Sequence, residues 1–61
     1  MEQELKELIG IYNRRIKSIK NLIKITDNPT RKSRLAAKLS CYRVTLSELE
    51  VLQELATNKN Q

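Results

Sequence analysis

The chain has no histidine, phenylalanine or tryptophan, and one residue each of cysteine, proline and glycine among 61. Each shortage excludes something. A lone Cys41 cannot close an internal disulfide, and without histidine no paired Cys–His zinc set exists. The acids and bases of an active site are also scarce. Asp27 is the single aspartate, placed where a turn is expected, and the glutamates sit toward helix ends rather than as a facing pair. No glycine-rich phosphate loop is present. These absences predict a non-enzymatic protein with no metal and no cofactor. Few aromatics and abundant Leu, Ile, Lys and Glu argue for helix and against sheet. No apolar run reaches the ~18 residues of a membrane span. The first residues, Met-Glu-Gln-Glu, are acidic where a signal peptide is basic. The expectation is a cytoplasmic protein with no membrane partner, whose Cys41 stays reduced and half-buried.

Size then becomes the constraint. A chain of this length forms one domain at most and buries only about 60% of its unfolded surface. Ordering costs about 1.5 kcal/mol per residue, which nearly cancels the hydrophobic gain. With neither disulfide nor zinc available, association with further copies is the remaining way to enlarge the core. The sequence therefore predicts a homo-oligomer.

What is there is helical periodicity. Leu5, Ile9, Tyr12, Ile16, Ile19 and Ile23 recur at alternating four- and three-residue steps, the seam of a helix packed along a partner. Leu8 and Leu22 widen that stripe, and Ile11 and Ile25 lie further round. Glu2, Glu4 and Glu7 suit the positive end of the helix dipole, and Lys20 and Lys24 the negative end. Gly10 is a defect in the run, either tolerated or marking the close approach of a partner backbone or ligand. Thr26-Asp27-Asn28-Pro29 reads as the turn, with Asn28 as N-cap and Pro29 at the first helical position.

The second half repeats the seam in Leu35, Leu39, Tyr42, Leu46 and Leu49. The next position is Gln53, so Leu52, Leu55 and Ala56 are expected to carry the apolar face onward. A second track, Ala37, Cys41, Val44, Val51 and Leu55, is interrupted by Glu48. One intramolecular contact needs one stripe. Two stripes predict burial on two sides, with Ile11, Ala37, Cys41, Val44, Val51 and Leu55 as the oligomer interface. The fold class expected is all-α: an antiparallel two-helix hairpin assembling into a helical oligomer or bundle. Its helices span about 2–25 and 29–56, the turn 26–29 and a frayed tail 57–61.

A rival reading breaks the second helix. Thr45-Leu-Ser-Glu48 fits a capping box, with Val44 and Leu49 as its hydrophobic staple. The segment then resembles a helix-turn-helix: Leu35 to Leu39 as first helix, Ser40-Cys41-Tyr42 as turn, and a recognition helix entered at Arg43. That resemblance implies a DNA-binding regulator. The exposed Ser47, Glu48, Glu50 and Glu54 depart from its pattern, because acidic side chains repel phosphate where Arg, Gln, Asn or Lys would read bases.

Charge is unevenly spread. Residues 14–43 carry ten Lys and Arg against Asp27, net plus nine, and the rest carries two Lys against six Glu, net minus four. Folded as a hairpin, both acidic ends meet and the turn end becomes basic. Such a field draws an anionic partner: a nucleotide, nucleic acid or an acidic protein surface. Arginine forks match phosphate in two-pronged fashion. The candidate anion-binding residues are Arg14, Arg15, Arg31, Arg34, Lys38 and Arg43. Tyr12 and Tyr42 could stack on a base, but their seam positions favour core packing.

A long amphipathic first helix followed by Lys38-x-x-Cys41-Tyr42-Arg43 and Leu46-x-x-Leu49-Glu50-x-Leu52 resembles small bacteriophage helical-hairpin proteins. Some compact phage proteins inhibit host defence by blocking a protein or sequestering a nucleotide signal. The resemblance implies a phage accessory or anti-defence protein that binds an anionic ligand. The alternatives are the DNA-binding regulator and a protein–protein inhibitor or assembly factor docking through the second stripe.

Overall fold

The computed structural model describes the backbone of residues 2–59 and the side chains of residues 2–58. It is an all-α hairpin: α1 spans Glu2–Ile25, α2 spans Pro29–Lys59, and residues 26–28 make the turn. No described helix is long and apolar enough to cross a membrane.

The turn follows from its residues. Thr26 donates its hydroxyl to the Leu22 carbonyl in the last turn of α1. Asn28 then caps α2: its Oδ1 accepts from the backbone N–H of Thr30 at 2.9 Å and of Arg31 at 3.1 Å. The Asn28 carbonyl accepts from Lys32 N–H at 2.9 Å, the first rung of the helix. Pro29 occupies the first helical position, where its missing N–H leaves nothing unpaired. Replacing Asn28 by alanine strands two donors, so Asn28→Ala is expected to destabilise the fold by about 1 kcal/mol in chemical denaturation.

The seam is where the periodicity places it. Leu5, Ile9, Tyr12 and Ile23 are half-buried, and Ile16 and Ile19 are buried; on α2, Leu35, Leu39, Tyr42 and Leu46 are half-buried and Leu49 is buried. Tyr12 meets Tyr42 edge to face, ring centroids 5.6 Å apart and planes at 78°. That contact sets the register. Counting outward from it, Leu5 lies level with Leu49 and Ile19 with Leu35.

Two expectations about α2 need correction. The first concerns its end. Gln53 holds the seam position and is half-buried, as is Ala56, while Leu52 and Leu55 are exposed. The seven-step repeat therefore runs on through Gln53 rather than shifting to its apolar neighbours. The helix also continues to Lys59, three residues beyond the expected end, with Thr57 donating to the Gln53 carbonyl at 2.9 Å. Asn60 and Gln61 of the expected frayed tail lie outside the described residues. The reason is length: α2 has 31 residues and α1 only 24. At 1.5 Å per residue they measure about 46 and 36 Å. The 49 Å long axis of the molecule matches α2 alone. Its last seven residues project about 10 Å past α1.

The second concerns Cys41, which is exposed rather than half-buried. It belongs to the track opposite the seam, and α1 does not reach it.

Candidate functional site: a basic groove beside the tyrosine pair

α2 is unbroken through residues 40–48. Thr45 does not start a helix there: its hydroxyl donates to the Cys41 carbonyl one turn back, at 3.0 Å. This is the back-bonding available to threonine within a helix, and the alternative to capping. Residues 35–48 therefore hold neither the turn nor the separate second helix of a helix-turn-helix.

All six candidate anion-binding side chains, Arg14, Arg15, Arg31, Arg34, Lys38 and Arg43, are exposed. The hairpin brings only some of them together. Arg14, Arg15 and Lys38 line one shallow groove with Ile11, Ser18, Ile19 and Tyr42. Arg31 and Arg34 lie nearer the turn and are not part of it. Arg43 is also elsewhere. It stands five positions on from Lys38, about 140° further round a helix of 3.6 residues per turn, so the two flank opposite edges of the seam. The basic half is thus a surface with at least two sides. A second groove carries Lys17, Lys20 and Lys24 beside Asn21, Ile23 and Leu39.

Within the first groove Arg15 lies against both tyrosine rings. Its guanidinium carbon lies 5.3 Å from the centroid of the Tyr12 ring and 6.0 Å from that of Tyr42. The electron-rich ring faces attract the cation while its N–H groups remain at the surface. Tyr12 and Tyr42, considered above as base-stacking groups, instead pack against each other across the seam and support Arg15. No lining residue of this groove is acidic. Chemically it offers two arginine forks and a lysine to an anion, with the Ser18 side chain alongside, the combination that grips phosphate oxygens.

Gly10 lies at the edge of a neighbouring groove formed with Gln3, Lys6, Glu7, Ile11 and Arg14. A methyl group built there would meet Arg14 Nη1 at 3.5 Å, an ordinary contact with a flexible side chain. Nothing within the hairpin requires glycine at this point.

The proposed interface residues also divide. Ala37, Cys41, Val44, Val51 and Leu55 share the outer face of α2 and are all exposed, Val44 at 59% and Leu55 at 59%. Ile11 is half-buried on α1 and lines the basic groove instead. Among the described residues no group of three His, Cys, Asp or Glu could hold a metal ion. No family model, curated protein or solved structure matches the chain.

Proposed function

We propose that the chain is a non-catalytic, oligomeric binder of a small anionic ligand, such as a nucleotide signal. The setting we infer is cytoplasmic, with the protein acting as a phage accessory or inhibitor of host defence. The observation that supports it most is the convergence of Arg14, Arg15 and Lys38 on one acid-free groove, with Arg15 braced by two tyrosine rings. Basic surface alone serves solubility. An arginine resting against two rings has less freedom to lose on gripping a ligand than one extended into water.

Titration of the folded protein with cyclic dinucleotides and mononucleotides, followed by calorimetry, tests this. Binding is expected, and it is expected to weaken as salt screens the charges. A hydrogen bond to a charged group contributes about 1.5–3 kcal/mol, so Arg15→Ala should loosen binding at least tenfold. Arg31→Ala, outside the groove, should change it far less. Absence of binding to any of these ligands, or equal losses from both substitutions, overturns the groove as the site.

The exposed stripe supports a second reading, a protein–protein inhibitor or assembly factor that docks through Val44, Val51 and Leu55. A stripe substitution that loses a captured partner while the hairpin stays folded and keeps its own oligomeric state favours that reading. The DNA-binding alternative needs a helix that begins near Thr45, and α2 has no start there.

A further inference from the structure

The outer face of α2 carries apolar side chains that α1 never touches. Ala37, Cys41, Val44, Val51 and Leu55 follow the same three-and-four spacing as the seam, with Glu48 completing the row. The seam and this row lie on nearly opposite sides of the helix. Meanwhile the hairpin alone is thinly cored: among the described residues, only Ile16, Ile19 and Leu49 are buried apolar side chains. A shallow groove on Ser47, Glu48, Val51 and Leu52 opens on this outer side.

We propose that a second copy of this chain covers the face, α2 against α2, with the two helices antiparallel and the two-fold axis level with Leu46. This orientation deepens the oligomer reading above and rests on it. Two observations select it. One is charge. Glu48, Glu50 and Glu54 against Lys59 leave the far half of α2 acidic, and Arg31, Lys32, Arg34, Lys38 and Arg43 make the half near the turn basic. Packed helices lie 8–10 Å apart, close to the ~8 Å screening length at physiological salt. A parallel pair would set acid beside acid and base beside base along its length. An antiparallel pair sets each acidic half beside a basic one.

The other observation is register. In an antiparallel pair the three-step positions of one helix layer against the four-step positions of the other. With the axis at Leu46, every row residue finds a row residue. Ala37 lies level with Leu55 of the second copy, Cys41 with its Val51, and Val44 with its Glu48. The small Ala37 side chain receives the large Leu55, whose own α1 ends short of it. The projecting end of each α2 is thereby covered by the turn half of the other.

Cysteine cross-linking with solution mass tests orientation separately from association. In the proposed pair the two native Cys41 residues stand ten positions apart, about 15 Å along the axis, beyond the ~7 Å Cα separation a disulfide tolerates. Mild oxidation of the unaltered protein is therefore expected to give no cross-link, although native mass spectrometry shows a dimer or a multiple of it. Val51→Cys places a new thiol level with the other copy's Cys41 and is expected to yield a doubly linked dimer. Cys41→Ser combined with Val51→Cys should abolish that link. A second pair, Ala37→Cys with Leu55→Cys in the Cys41→Ser chain, should link in the same way and covers the case in which Val51→Cys misfolds. A ready Cys41–Cys41 link overturns this arrangement. A dimer that neither designed pair can link overturns it and leaves the oligomer reading standing. A monomer at every concentration overturns both.

Discussion

Ile19→Ala is expected to melt the hairpin. Ile19 is only 6% exposed and sits on the seam, level with Leu35. Removing three carbons from such a site costs about 2–5 kcal/mol, part transfer and part residual cavity. A domain of this length holds only about 3–9 kcal/mol at 0.05–0.15 kcal/mol per residue. A core of so few buried side chains belongs at the low end of that range. One substitution therefore removes most of the margin, and helical circular dichroism at room temperature should fall steeply. Isolated helices of this composition gain much of their stability from the packed face, so loss of the seam is loss of the helices. Ile25→Ala is the control. At 75% exposure Ile25 has little contact to lose, and a change within about 0.5 kcal/mol is expected. Equal melting temperatures for the two variants would mean that the buried side chains of the seam are not what holds the helices together.

The seam and the turn were legible from residue order because each depends on local chemistry. The four-and-three spacing puts Leu5 to Ile23 on one face of any helix, and Asn28-Pro29 caps and starts a helix with no help from elsewhere. The end of α2 was less legible because it depends on the difference between two lengths. Gln53 looks like a fault in an apolar repeat until α1 is seen to end beside it. Past that point no partner helix rewards a leucine on the seam. Thr45 was ambiguous for a different reason: its hydroxyl can start a helix or bond back within one, and the same four letters allow both. The outcome was decided by the seam on either side of it, since Tyr42, Leu46 and Leu49 pack on α1 only if the helix runs straight through.

The candidate site was half legible. Counting charges located the basic half and its arginines. It could not group them, because grouping depends on which edge of the seam each side chain flanks. Lys38 and Arg43 are near in sequence and on opposite edges. Arg15 and Lys38 are remote in sequence and share a groove. Nor did composition reveal that Arg15 rests against both tyrosines. The signal was present in the spacing of Tyr12 and Arg15, one turn apart on the same helix, but only the crossing of Tyr42 makes it a bracket.

Glu48→Leu is expected to tighten self-association more than any other single change on the outer face of α2. Glu48 is the one charged member of the row from Ala37 to Leu55, lying between Val44 and Val51. In the proposed antiparallel pair each Glu48 would be level with Val44 of the other copy rather than with a cation, so its carboxylate would lose water without direct pairing. Leucine removes that cost and adds apolar area. Full burial of a leucine contributes about 1.5–3 kcal/mol, and two-fold symmetry counts it twice. Allowing for incomplete burial at the edge of a helix pair, the dimer dissociation constant should fall at least about a hundredfold, since each 1.4 kcal/mol is a factor of ten. Sedimentation across a concentration series measures this directly. Glu50→Leu provides the contrast. It removes the same charge from the same acidic half, but its side chain stands toward the seam edge rather than on the outer row. If the general repulsion of the acidic half limits association, the two variants will tighten it alike. If the row itself is the contact, only Glu48→Leu will do so. In that outcome Glu48 is the residue that limits how tightly the proposed pair holds, because it interrupts an otherwise apolar row.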